Sequence, residues 1–190
     1  PPAQRHRLHR SCTRLVSRTA RRASAVLTDS EASRRDIIRH LRIPAERVHA
    51  VHLAVAPSAS ILPAPEHLAA VRSRYKLPEG PFLLYFGGFD ARKNLRRTLE
   101  GYARLIDRCS AEGAPCPILV IAGRLPAVDS AVVPDPRLIV AELGLGDRVH
   151  LAGWVEEADK PALYALAEGV LFLSEYEGFG LPVLEAMAGD

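Results

Sequence analysis

From residue 82 onward the chain alternates short runs that are apolar on both faces with amphipathic segments. The apolar runs are FLLYF (82–86), ILVIAG (118–123), RVHLAG (148–153) and GVLFLS (169–174), and helical patterns fall around 94–109, 136–143, 158–167 and from Pro182. Strands with no polar face must be covered by helices on each side, as in a parallel sheet. The expected fold is therefore α/β, a Rossmann-like parallel sheet with helices on both faces. Ligands of such sheets bind at the carboxyl ends of the strands, which directs attention to the loops after Phe86, Ala122, Ala152 and Ser174.

Upstream, SAVLT (24–28) reads as a strand, SEASRRDIIRHL (30–41) as a helix capped by Ser30, and RVHAVHLAV (47–55) as a second strand. A stretch with Pro57, Pro63 and Pro65 leads to a helical segment ending near Tyr75, and Pro78 to Pro81 form another break. The expected organisation is the end of one domain over 1–55, a linker over 56–81 and a second domain over 82–190.

With 48% hydrophobic residues in 190, the chain can bury a sizeable core, and its apolar stretches fall short of the roughly 20 residues needed to span a membrane. The formal charge of +3 is unevenly placed. Residues 1–23 hold seven arginines and no acid; taking them from the 25 basic residues leaves 18 against 22 acidic ones, a net −4 over 24–190. Leu8, Cys12, Leu15 and Thr19 recur at helical spacing among those arginines, the pattern of an amphipathic helix on an apolar surface, although an Arg-rich start also fits an organelle transit peptide. A nucleic-acid partner is not expected, because the acidic remainder opposes it. Cys12, Cys109 and Cys116 have neither zinc nor redox-pair spacing, and the start carries no secretory apolar core, so a cytoplasmic location is expected. The seven histidines are scattered and no Asp-x-Asp pair occurs, so no metal site is expected; Walker, Gly-x-Gly-x-x-Gly and Gly-x-Ser-x-Gly motifs are absent from the sequence.

Two loops carry chemistry. In SEYEGFGLPVLEAMA (174–188), Gly178 and Gly180 permit a sharp turn and Pro182 suits the first turn of a helix, a geometry that binds anions at a helix N-terminus. Glu177 and Glu185 would flank a phosphate there and accept hydrogen bonds from sugar hydroxyls; alternatively Glu177 is simply exposed and Glu185 offsets the helix dipole. In YFGGFDARKNL (85–95), Gly87 and Gly88 follow a strand, and Arg92 and Lys93 stand at a helix start. Cations there are unfavourable unless an anion neutralises them, so either a diphosphate binds or the side chains point into solvent. Gly123 and Arg124 end a strand similarly, and Trp154 could flank a base or serve only as packing.

Taken together and in order, EGFGLPVLEA, GGFDARKN and LGLGDRVHLAGWV resemble the retaining nucleotide-sugar glycosyltransferases of the GT-B-fold class called group 1 or family 4. The resemblance runs from TDSEASRRDI onward and implies the following roles. Arg92, Lys93 and Glu177 would act catalytically, the two cations neutralising the departing diphosphate in place of a metal and Glu177 binding donor-sugar hydroxyls. Gly87, Gly88, Gly178, Phe179, Gly180 and Leu181 would hold sugar and phosphates, Glu185 the ribose, and Val155 and Lys160 would lie near the base. The implied reaction transfers a hexose from a nucleotide sugar, with GDP-mannose slightly favoured over UDP-sugars, to an acceptor hydroxyl of a glycan, lipid or small molecule, with retention of configuration. It implies no cofactor and no metal. The family has two such domains, and the acceptor-binding one, with its catalytic histidine, would precede this chain and make any peripheral contact with the cytoplasmic face of a membrane. The 190 residues would then be mainly the donor-binding lobe, incomplete at both ends and inactive in isolation. A non-catalytic nucleotide-sugar-binding module or partner subunit is the alternative. The chain departs from the pattern in having Gly88 where many members have a basic residue, and in lacking the Asn-Gly turn usual near residue 52, where it has HLAVAP.

Overall fold

A computed structural model describes residues 14–56 and 61–189. Leu8 and Cys12 of the expected basic helix, and Pro57, lie outside the described residues. The chain divides after Ala54 into two compact units.

The first unit contains α1 (residues 14–22), β1 (Val26–Thr28), α2 (Glu31–Leu41) and β2 (Val48–Ala50). The two strands pair in parallel, Val26 opposite Val48. Ser30 caps α2 as its position predicts, its hydroxyl accepting from the Ser33 N–H at 3.0 Å. Several arginines tie the backbone. Arg34 donates to the carbonyls of Val48 (2.7 Å) and Ala45 (3.0 Å), Arg21 donates to Leu41, and Arg47 donates to Arg21 and Ala23. The strand expected over 47–55 pairs only over Val48–Ala50, because β1 opposite it is equally short.

The second unit contains α3 (Pro65–Arg74), β3 (Phe82–Phe86), α4 (Leu95–Glu112), β4 (Ile118–Ala122), α5 (Pro136–Glu142), β5 (Val149–Gly153), α6 (Lys160–Leu166), β6 (Gly169–Val170) and α7 (Leu181–Ala188). The four strands form one parallel sheet in the order β5-β4-β3-β6. Successive residues alternate between two buried layers, as the period of two requires. Phe82, Leu84, Val120 and Ala122 join Val71, Ala162, Leu163 and Tyr164 on one face. Tyr85, Leu119 and Ile121 join Leu95, Leu99, Tyr102, Ile139 and Val140 on the other. This is the α/β architecture expected, with helices on both faces. GVLFLS pairs only over Gly169–Val170, with one further bond from the Leu171 N–H to the Leu84 carbonyl at 2.8 Å.

The stretch read as a linker contributes to this unit. Val71 is fully buried and Leu77 nearly so. The prolines that suggested a break include Pro65, which begins α3, where a missing N–H costs nothing. The buried Asp159 joins α3 to the start of α6, accepting from Tyr75 Oη (2.7 Å) and Arg74 Nη1 (2.6 Å), with His67 3.6 Å away. Burial opposes its charge, and the bonds from Tyr75 and Arg74 outweigh this and hold its carboxyl below the usual range.

Strand order reverses at β3: β4 and β5 lie to one side, β6 to the other. The crevice of a doubly wound sheet opens at such a reversal, between the loops following β3 and β6. At the same edge Gly87 has φ 149°, its N–H donates to the Ala122 carbonyl at 3.0 Å, and the Gly123 N–H donates to the Gly153 carbonyl at 2.8 Å. A Cβ on Gly123 would stand 2.1 Å from the Gly87 oxygen. Gly123→Ala must therefore push the two strand ends apart. The expected cost is about 2 kcal/mol, seen as a fall of roughly 4–8 °C in Tm by calorimetry, and an unchanged Tm would contradict the close approach.

Candidate donor site

The loop after β3 is held from below. Phe89 is buried and stacks on Tyr85, with ring centroids 6.2 Å apart, and Tyr85 Oη donates to the Gly88 carbonyl at 2.9 Å. Burial, with the charges of Asp90 and Glu177, pushes the Tyr85 phenol well above its usual value, so it remains a donor. Beyond Gly88 the chain makes a short 3-10 turn, Ala91–Lys93, and enters α4 through Asn94 in the left-handed region, φ 57°. Asparagine is one of the few residues that adopt this conformation at low cost.

Three contacts join this loop to the one after β6. The Glu175 N–H donates to the Arg92 carbonyl at 2.8 Å, Asn94 Nδ2 to the Leu173 carbonyl at 3.2 Å, and Lys93 Nζ lies 2.6 Å from Glu177 Oε1. Both members of that ion pair are largely sheltered, with side chains 16% and 20% exposed, and Lys93 also lies over the Phe172 ring, 5.4 Å from its centroid. Partial burial works against the charge of Glu177, but bonds from Lys93 and Ser174 and the field of Arg92 outweigh it and hold the carboxyl below its usual range. Arg92 is half exposed and pairs with Asp90 at 2.7 Å. The sequence offers an external diphosphate or open solvent as partners for Arg92 and Lys93; the structure supplies two carboxylates of the protein itself.

Gly180, with φ 100°, opens α7, its carbonyl accepting from the Val183 N–H at 3.0 Å. The chain bends at Gly178 and Phe179 just before it, and Leu181 is the first helical residue. One turn on, Glu185 Oε2 accepts from Tyr164 Oη of α6 at 2.9 Å. The Tyr164 ring packs on Phe86, centroids 5.7 Å apart, and Lys160 Nζ lies over the Phe86 ring, 5.3 Å from its centroid and 2.6 Å from Glu157. Gly87, Gly88, Lys93, Glu177 and the 178–181 turn thus share one edge, and Lys160 and Glu185 connect to it through Phe86 and Tyr164. Val155 does not present its side chain there. It is 2% exposed within the core layer that also holds Tyr164, so only its backbone is available. Trp154 is 54% exposed, with the Arg124 guanidinium 4.8 Å from its ring centroid.

Sequence reasoning did not single out Asn94, Tyr164 or Phe172. Asn94 carried a usable signal, an asparagine between a charged pair and a helix start. Tyr164 and Phe172 carry no comparable signal. Among the described residues, no group of three metal-ligating side chains stands together, and no helix is long and apolar enough to cross a membrane.

A sequence model of the family described as "Glycosyl transferases group 1" matches residues 70–189. The chain belongs to this family. Among curated relatives, the alpha-D-kanosaminyltransferase of Streptomyces kanamyceticus is 33% identical over 167 residues, covering 88% of this chain and 41% of its own length. The O-antigen chain mannosyltransferase B of Escherichia coli is 34% identical over 168 residues, covering 87% and 41%. Anabaena HepE, solved in complex with UDP-glucose, superposes with a TM-score of 0.71 at 20% identity, covering 93% of this chain and 46% of that one, a likeness of fold. The group 1 chain thus spans about two fifths of the length of the curated relatives it matches.

The ion pair of this group 1 chain has a pH signature. A carboxyl held below its ordinary value of 4.5 adds stability that is present above that value and lost as pH falls below it. Thermal midpoints of wild type and Glu177→Gln should therefore draw together as pH is lowered from about 6 to about 3, whereas a constant difference would mean that the Glu177 charge contributes nothing to the fold.

Proposed function

We propose that the chain is the donor-binding part of a glycosyltransferase that moves a hexose from a nucleotide sugar to an acceptor hydroxyl with retention of configuration. The observation that carries this reading is the meeting of Lys93 and Glu177 at the crevice where strand order reverses. The donor diphosphate would sit against Lys93, Arg92 and the backbone of Gly87, Gly88 and Gly178 to Leu181, at the N-terminus of α7. Glu177 would receive the sugar hydroxyls and Glu185 the ribose, with the base toward Lys160 and the backbone of Val155.

As the sugar departs, negative charge grows on the diphosphate, and preorganised cations sheltered from water stabilise that charge more than they stabilise the bound donor. The part assigned to Lys93 and Arg92 is this stabilisation. The part assigned to Glu177 is to orient the hexose so that bond cleavage and acceptor attack occur from a fixed geometry. The mannosyltransferase among the relatives supports a mannose donor, and GDP-mannose is the donor we favour. In the same reading, residues 1–55 complete an acceptor-side domain, 56–81 lead into the donor domain at 82–190, and the enzyme works in the cytoplasm on a glycan, lipid or small-molecule acceptor.

Titration calorimetry with GDP and UDP tests the site. Wild type should bind at least one of them, and Lys93→Ala and Glu185→Ala should each weaken binding about tenfold, the loss of one charge-assisted contact. Equal heats for wild type and both variants would remove the assignment.

A further inference from the structure

Tyr164 belongs to α6 and its ring packs in the core, but its hydroxyl emerges beside the site. Oη donates to Glu185 Oε2 at 2.9 Å, while the residue is only 8% exposed and its ring packs against Phe86 with the two planes tilted by 58°. We infer that Tyr164 is a positioning residue that sets the Glu185 carboxylate for recognition of the ribose hydroxyls of the donor nucleotide. This rests on the donor-site reading above.

A glutamate on a helix has three side-chain torsions to sample, and a solvated carboxylate pays to order them when a ligand arrives. Tyr164 lowers that cost in advance. Its own torsions are locked by the packing around Phe86, and one hydrogen bond fixes Oε2, leaving Oε1 to accept from the sugar. The hydroxyl cannot change role. Burial, and then the charge of Glu185, raise the phenol far above its usual range, so it remains a donor to the carboxylate at any working pH. Phe86 lies at the end of β3, the strand that leads directly into the Gly87–Gly88 turn. The carboxylate is therefore referred, through one ring contact and one hydrogen bond, to the strand that carries the phosphate loop.

The test compares two ligands on each protein. GDP and UDP are titrated beside their 2′,3′-dideoxy counterparts into wild type, Tyr164→Phe and Glu185→Gln. The ratio of affinities within one protein does not depend on the fraction folded, so a partly destabilised variant still reports; Tyr164→Leu, which also lacks the hydroxyl, gives a second measurement. Wild type should prefer the ribose form, Glu185→Gln should abolish the preference, and Tyr164→Phe should reduce it three- to tenfold while leaving the dideoxy affinity unchanged. A wild-type preference lost in Glu185→Gln but kept in Tyr164→Phe overturns the positioning role and leaves the donor site standing. Failure of wild type to bind any of the four nucleotides, or an unchanged preference in Glu185→Gln, overturns the donor-site reading and this inference with it.

Discussion

The second unit depends on burial of β3 and β4 on both faces. Phe82 and Leu84 enter one layer and Tyr85 the other, and Leu119 and Ile121 alternate with Val120 and Ala122 in the same way. Neither strand has a polar face to offer water, so α3, α6 and α7 must cover one side and α4 and α5 the other. That requirement leaves the strand edges as the places where the backbone can meet a ligand. At the carboxyl edge the approach is so close that Gly123 leaves no room for a side chain beside the Gly87 oxygen. The turn that leads to Lys93 is thus set by main-chain packing before any charged group is considered.

On that base, charge is arranged in opposed pairs. Lys93 meets Glu177, Arg92 meets Asp90, and Lys160 meets Glu157, all at the edge where the strands end. Cations grouped near helix starts would repel one another and the helix dipoles, and each is answered by a carboxylate one loop or one turn away. Elsewhere the positive charge serves the backbone. In the first unit Arg21, Arg34 and Arg47 all donate to main-chain carbonyls. Guanidinium groups satisfying carbonyls within one unit give a physical account of part of the arginine richness that does not involve nucleic acid.

The strands and helices of the second unit were legible because two-sided apolar runs such as FLLYF and ILVIAG admit few other arrangements. The glycine turns and the two glutamates were legible because their chemistry is local. What was not legible is informative. The helical segment ending near Tyr75 was legible, but its place in the core of the second unit was not, because Pro65 at a helix start reads in sequence like a break. Val155 was assigned by position in a motif, and only the packing reveals that its side chain turns into the core. Tyr164 carried no distinguishing pattern, because a tyrosine on an amphipathic helix packs its ring like any core residue. Its role comes from where its hydroxyl ends, 21 residues along the chain from the glutamate it meets.

The Lys93–Glu177 contact also constrains how a donor could enter. At 2.6 Å and mostly sheltered, the pair is a charge-assisted bond that must be weakened for Lys93 to engage a phosphate. Removing the carboxylate without a replacement would leave a poorly solvated ammonium, which is costly. A ligand that brings only hydroxyl groups cannot offset that cost, because hydroxyls do not neutralise the ammonium. A diphosphate can, since it carries more negative charge than the carboxylate it displaces, and the sugar attached to it offers Glu177 the hydroxyl donors that carboxylate then needs. On the proposed reading, the pair would therefore favour ligands that present both groups together. In the proposed donor site, Lys93 and Glu177 would hold each other's place until a charged phosphate and a polyhydroxylated ring arrive joined in one molecule, and a free sugar or a free hydroxylated acceptor would gain no comparable foothold at this edge.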